Sequence, residues 1–196
     1  MSRFIRSISR AFLVLALTLG MAWASEASAR AAARGNQAPR DQANYEAWLT
    51  REVRHQLVML PYLTLFDNLE YKVDGTAVTL LGQVVDPSLK PDAANVVKHI
   101  EGVTKVVNNI EVLPPSPMDA QIRRAEYRAI YGYADLWRYA MGALPPVHIV
   151  VDMGHVTLYG VVDSQSDKNL IELRAKTVPS VFSVTDNLEV ANQGGK

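Results

Sequence analysis

Apolar and polar residues alternate in a pattern that the chain produces twice. Val78, Leu80, Gly82 and Val84 alternate with Thr79, Leu81 and Gln83, the period of two expected of a strand with one buried face. Leu69–Val73 also has strand character. The intervening Asp74-Gly75-Thr76 predicts a tight hairpin, since glycine accepts the positive φ that such a turn needs. Pro91–Glu101 changes to helical spacing, with Ala94, Val97 and Ile100, before Val103–Val112 returns to strand. Upstream, Tyr45–Leu60 is an amphipathic helix with Leu49, Val53, Leu57 and Leu60 on one face. A second series keeps this order. It has a helix over Asp119–Tyr131 with Ile122, Ala125 and Ala129 on one face, an interruption at Gly132, and a turn or short helix over Tyr133–Met141. A hairpin through Asp152-Met153-Gly154, a helix over Asp167–Thr177 with Leu170 and Leu173, and a strand over Val181–Val190 complete it.

The two series are copies of one unit. Displacing the chain by 78 residues aligns Tyr71–Val112 with Ile149–Val190 without a gap, and 15 of the 42 pairs are identical. Composition alone would give about two or three. Helix, hairpin, helix, strand predicts an α+β fold of two tandem αββαβ domains, each a three-stranded sheet covered by two helices. The expected domains are residues 45–113 and 119–191, joined by the Pro-rich linker 114–118 and followed by a tail at 192–196. At this size a domain buries only about 60% of its unfolded surface, so the copies are expected to touch. Gly82 and Gly160 lie on the inward faces, where a missing side chain would let a helix pack close. Asp74 and Asp152 match between copies and read as turn residues bonding their own backbone. Asn109 and Asn187 read as structural, bonding across the sheet.

The first stretch has another pattern. Arg3, Arg6 and Arg10 precede an almost wholly apolar run, Ala11–Ala24. Two small-x-small sites follow, Ala22-Trp23-Ala24 and Ala27-Ser28-Ala29. This is the form of a cleavable secretory signal over residues 1–29, and residues 30–44 then read as a flexible lead-in. The run is short against the about 20 residues that span a bilayer, and a retained anchor helix is the other reading. No twin arginine is present, so the ordinary secretory route is expected, with a periplasmic destination in a Gram-negative cell.

Composition narrows the chemistry. With no cysteine there is no disulfide, thiol catalysis, Cys-zinc site or acylated N-terminal cysteine. The formal net charge is +0 and both domains are mildly acidic, which disfavours nucleic acid as a partner. His55, His99, His148 and His155 include no pair at the i,i+4 spacing of a helical metal site. Fingerprints of hydrolases, P-loops and dinucleotide-binding folds are missing. The sequence therefore predicts no enzyme, cofactor or metal.

The motifs Val78-Thr79-Leu80-x-Gly82-x-Val84 and Gly102-Val103-x-x-Val106-x-x-Asn109-x-Glu111-Val112 resemble the BON domain family, known from osmotically inducible periplasmic proteins and nodulation proteins. The second copy keeps Val156-Thr157-Leu158-x-Gly160-x-Val162 and Asn187 but has Ser180 in place of the family glycine. The resemblance covers nearly the whole chain after the signal. It implies the αββαβ fold and a non-catalytic envelope protein, and some relatives bind anionic phospholipid or outer-membrane partners. The same element order is shared by KH modules, but no G-x-x-G loop follows either first helix.

One segment offers a candidate binding face. Tyr127, Tyr131, Tyr133, Trp137 and Tyr139 crowd the start of the second domain together with Arg123, Arg124, Arg128 and Arg138. Rings beside guanidiniums suit a lipid headgroup layer, so peripheral binding to anionic phospholipid is one expectation. The bland reading is that Trp137 and some tyrosines fill the core or the contact between domains, as do Tyr62, Leu63, Leu65 and Phe66 after the first helix. The other functional expectation is an envelope protein partner, with the domains acting as a scaffold or chaperone-like adaptor.

Overall fold

The computed structural model describes residues 42–142 and 144–191. The expected signal peptide, the lead-in up to residue 41 and the tail from 192 lie outside the described residues. The chain divides into compact units Met1–Trp48 and Leu49–Lys196. In the first, residues 42–48 are helical, so the helix is present before Tyr45 and includes the end of the expected lead-in. Gln42 Nε2 donates to Glu46 Oε1 at 3.1 Å, the i,i+4 spacing that a helix brings together. This helix, α1, runs over residues 42–58 and in the second unit buries Leu49, Val53 and Leu57.

The second unit holds both sheets. Strands β1 (Asn68–Asp74) and β2 (Ala77–Val84) form an antiparallel hairpin, followed by α2 (Leu89–Lys98). The short strands β3 (Lys105–Asn108) and β4 (Glu111–Val112) both run parallel to β2 and amount to one strand interrupted at Asn109 and Ile110. Then come α3 (Pro117–Tyr131), a 3₁₀ turn (Trp137–Ala140) and the hairpin of β5 (Val147–Asp152) and β6 (His155–Val162). Helix α4 (Gln165–Lys176) leads to β7 (Ser183–Val190), parallel to β6. The fold is α+β, and the sheets repeat in register: Val78 pairs with Val106, and Val156 with Val184. The helix–strand crossover makes the last strand parallel, because a two-residue turn can only return a chain antiparallel.

The linker does two jobs. Its prolines end the first sheet just after the buried Leu113, and Pro117 opens α3. Proline suits that first helical position because its missing N–H would have no intrahelical partner there. Ser116 caps the helix, accepting from Asp119 N at 3.2 Å. Helix phases differ in part from the pattern read in sequence. In α3 the buried stripe is Asp119, Ile122, Arg123, Glu126 and Ile130, not Ala125 and Ala129. In α4 Ile171 and Ala175 are buried while Leu173 is exposed.

Three structural assignments need correction. At Gly82 and Gly160 a Cβ would come within 2.0 Å of Asn68 O and 1.9 Å of Pro146 O. The glycines are thus demanded by the neighbouring strand's backbone and by φ of +108° and +121°, not by a helix. Asp152 does not bond its own turn: its Oδ1 is buried without a hydrogen-bond partner, and Asp119 serves the hairpin instead. Asn109 and Asn187 are exposed, and their preceding residues carry the side-chain bonds. Asn108 Oδ1 accepts from Ile110 N at 3.2 Å and its Nδ2 donates to Lys90 O, while Asp186 Oδ1 accepts from Leu188 N at 2.8 Å and its other oxygen faces Lys168 Nζ.

Ser180 keeps the loop geometry of the glycine it replaces. Its φ is +69°, against +83° at Gly102 in the first copy. A side chain costs about 1–2 kcal/mol in this left-handed region. Ser180→Gly would relieve that strain against an unfolded-state entropy penalty of about 0.4–1 kcal/mol. It is therefore expected to raise stability by roughly 0.5–1 kcal/mol, measurable as a shift in urea midpoint.

The two sheets meet through the segment that precedes β1. Leu65 O accepts from Ile149 N at 2.8 Å, and His148 Nδ1 lies 2.6 Å from Asp67 O. Leu65 and Phe66 pack against the second hydrophobic core, which is built from Ile122, Ile130, Val147, Ile149, Leu158, Ile171 and their neighbours. This covers part of the edge of β5, where an open strand would otherwise offer unpaired backbone groups. Asp67 shapes the segment, accepting from Thr64 N, Thr64 Oγ1 and Val85 N. Burial lowers the pKa of His148 against the opposing pull of Asp67, and because Asp67 O can only accept, Nδ1 carries the hydrogen in that bond.

Candidate functional site

The nine candidate residues on α3 and the following turn separate into two groups. Arg123 is buried and donates Nη2 to Val151 O at 2.7 Å. Burial lowers its pKa, while Asp119, Asp67 and Asp152 oppose that shift. Tyr131 is buried and its hydroxyl donates to Val147 O at 2.5 Å; desolvation holds its pKa well above the ordinary tyrosine value. Tyr139 is buried as well. Its hydroxyl donates to Asp167 Oδ2 at 2.9 Å and accepts from Asp163 N at 2.8 Å.

Arg138 belongs to the same cluster. Its Nη2 sits 2.5 Å from Asp167 Oδ2, its Nε 3.3 Å from Asp163 Oδ2, and its guanidinium lies over the Tyr139 ring. Asp167, helped by Ser164 Oγ, anchors the start of α4 to the 3₁₀ turn. Burial opposes its ionisation, but the bonds from Arg138, Ser164 and Tyr139 outweigh burial and lower its pKa. Tyr133 is half-buried beneath the guanidinium of Arg174 at 4.8 Å. For Tyr131, Tyr139 and in part Tyr133, the bland structural reading therefore holds, and Arg123 and Arg138 join them in structural work.

The exposed group is smaller. Arg124, Tyr127 and Arg128 lie on the outer face of α3, and Trp137, 56% exposed, stands on the 3₁₀ turn. Tyr127 stacks on Tyr131 at 5.3 Å, which fixes its ring at the surface. Arg124 and Arg128 are one helical turn apart, and neither has an ion-pair partner among the described residues. They line a shallow groove of about 360 Å³ with Met118, Gln121, Pro179 and Ser180. Met118 and Pro179 were not singled out from sequence, and Ser180 was singled out only as the residue in place of the family glycine. Met118 follows the helix-opening proline, a position where a methionine that misses the buried stripe must face solvent.

The face therefore combines two cations that have no ion-pair partner among the described residues with a groove of mixed polar and apolar lining. No cluster of three His, Cys, Asp or Glu residues suited to a metal occurs among the described residues. The histidines serve elsewhere: His99 Nδ1 is 2.7 Å from Asn95 O, and His155 Nδ1 is 2.7 Å from Ser183 Oγ. Among the described residues no helix is long and apolar enough to cross a membrane.

The family model described as BON domain matches residues 45–114 and 138–192. Osmotically-inducible protein Y of Escherichia coli is 31% identical over 133 residues, covering 62% of this chain and 61% of that protein. The chain thus spans under two thirds of the relative's length. CdsD, a structural protein of the type III secretion system of Chlamydia trachomatis, matches at 12% identity and a TM-score of 0.28, over 74% of this chain and 94% of that one. Its C-terminal domain matches at 12% identity and a TM-score of 0.26, over 71% and 95%. Likeness at that level carries no weight for function.

Proposed function

The chain belongs to the BON domain family, and on that premise we propose that it is an exported, stress-related envelope protein that binds peripherally to anionic phospholipid without catalysing a reaction. The observation that carries this reading is the pair Arg124 and Arg128, without ion-pair partners among the described residues and one turn apart on a groove of mixed polar and apolar lining. Each guanidinium presents donors in a planar fork that matches phosphate oxygens. Met118 and Tyr127 supply exposed apolar and amphipathic surface beside the two cations. The apolar run Ala11–Ala24 and the small-x-small sites support export to the periplasm, and the osmotically inducible relative supports a stress role.

A basic side chain near an anionic surface contributes about 1 kcal/mol. Reversing both charges in Arg124→Glu/Arg128→Glu is therefore expected to weaken co-sedimentation with phosphatidylglycerol vesicles by tenfold or more. Neutral phosphatidylcholine vesicles should recover little protein, and added salt should release it. Equal recovery on neutral and anionic vesicles, unaffected by the double variant or by Trp137→Ala, would sink the reading.

An envelope protein partner is the second reading. It is favoured by a groove of about 920 Å³ where the sheets meet, lined by Leu57, Leu63, Leu69, Tyr71, Pro146 and Val161 among others. A stoichiometric partner in an envelope pull-down, with no vesicle binding, would favour it.

A further inference from the structure

The second hydrophobic core contains a carboxyl group with nothing to bond. Glu126 is wholly buried, and neither Oε1 nor Oε2 has a hydrogen-bond partner. It sits on the inward stripe of α3, one turn after Ile122 and one turn before Ile130. The matching stripe of α1 is apolar throughout, with Leu49, Val53 and Leu57 at the same four-residue spacing.

None of the charged and titratable groups on the elements packed against α3 bonds to Glu126. On α3 itself Arg123 donates Nη2 to Val151 O and keeps a buried Nε without a partner, Asp119 serves the hairpin, and Tyr131 donates to Val147 O. From β5, Asp152 has the wrong sign to neutralise a carboxylate, and His148 is turned to Asp67 O. From α4, Arg174 donates Nε to Ala129 O, and Asp167 is held by Arg138 and Tyr139 of the 3₁₀ turn. A neutral Glu126 fits this surrounding; an ionised one would be a buried charge without a counterion, which costs several kcal/mol.

We propose that Glu126 is a proton-dependent latch: protonated, it packs as part of the core and holds α3 on the second sheet, and deprotonated, it drives α3 off the sheet to reach water. The proton leaves to solvent, and no other group need receive it. Burial pushes the pKa of Glu126 from 4.5 up to about 8, so the latch is closed at neutral pH and opens under mildly alkaline conditions. This device stands on the packing of Glu126 alone and does not depend on what the outer face of α3 binds.

The sign follows from linkage. In the unfolded chain the carboxyl loses its proton near the ordinary 4.5, whereas the folded chain keeps it to about 8. Stability from this group is whole below the lower value and is lost as pH rises through the upper one. Within the window the folded-to-unfolded ratio should fall about tenfold per pH unit, then level off.

The test is urea unfolding of the full chain from pH 5 to 9, followed by circular dichroism, for wild type, Glu126→Leu and Glu126→Gln. The ratio of wild-type to Glu126→Leu folding constants is expected to drop about four hundredfold from pH 5 to 8, and Glu126→Gln should show the same flattening of the pH profile. Profiles of identical slope in all three proteins would overturn the proposal. Should a variant fail to fold, carbon-13 NMR of the wild-type glutamate carboxyls decides: one titrating near 8 supports the latch, and every one titrating between about 4 and 5 overturns it.

Discussion

Replacing Gly160 by alanine is expected to unfold the second sheet at ordinary temperature. The added methyl carbon would stand 1.9 Å from Pro146 O and 3.2 Å from the Cα of Val147, both of them backbone atoms. Backbone can make room only if β5 parts from β6, since Val147 and Gly160 are paired residues of that ladder. The residue also holds φ at +121°, a region almost closed to any residue with a side chain. Strain and clash together should cost on the order of 4 kcal/mol or more, a large share of what a domain this small possesses.

Gly82→Ala should do the same to the first sheet, because its Cβ would meet Asn68 O at 2.0 Å. Gly75→Ala provides the control. Gly75 also has positive φ, at +59°, but nothing lies within 4 Å of its added carbon. It should lose only about 1 kcal/mol. Urea titrations by circular dichroism would rank the three, and a Gly160→Ala midpoint close to that of Gly75→Ala would refute the argument.

The second large effect is expected from Asp119→Ala. This buried carboxylate reaches from the first turn of α3 to the β5–β6 hairpin, accepting from Met153 N at 3.1 Å and Gly154 N at 2.8 Å. Both turn residues have positive φ, 48° and 80°, which aims their N–H groups to the same side. The carboxylate is matched to that concavity as an anion to a nest of amides. Alanine would strand the two donors, at about 1–3 kcal/mol for each buried group left unpaired. It would also remove a negative charge from a helix N-terminus, worth about 0.3–1 kcal/mol.

A loss of about 3 kcal/mol overall is expected for Asp119→Ala and roughly half of that for Asp119→Asn, which retains one acceptor. Amide exchange at Met153 and Gly154 should accelerate in step with the loss of stability. Unchanged exchange at both would show that the contact contributes nothing.

How much of this was legible beforehand depends on the range of the interaction. Alternation around Val78 and Val156, the hairpins and the 78-residue repeat are local or periodic, and the strands formed along the stretches where that pattern places them. The glycines of each copy were found by the same repetition, but the reason for them was misread. A positive φ facing a neighbouring carbonyl is a property of two paired strands, and one strand's pattern does not show it. Glu126 was legible in principle, since it stands at helical spacing between Ile122 and Ile130, yet a charged residue is usually assigned to the wet face.

The candidate site was legible as a region and not as a set of residues. Arg123 and Arg124 are neighbours, but a helix turns by about 100° per residue, which sends one inward to Val151 O and the other to solvent. Tyr127 and Tyr131 share a face, and only the nearness of Val147 O to the end of α3 buries the second. The amino-acid order on its own thus determined the repeat, the α+β class and the places of the helices and strands along the chain, because these depend on near neighbours. Packing of α3 against the second sheet decided which arginines remain free to bind a ligand and which carboxyl is shut away from water. Those outcomes depend on where one element rests against another, and burial reverses the preference of the same side chain from charged to neutral.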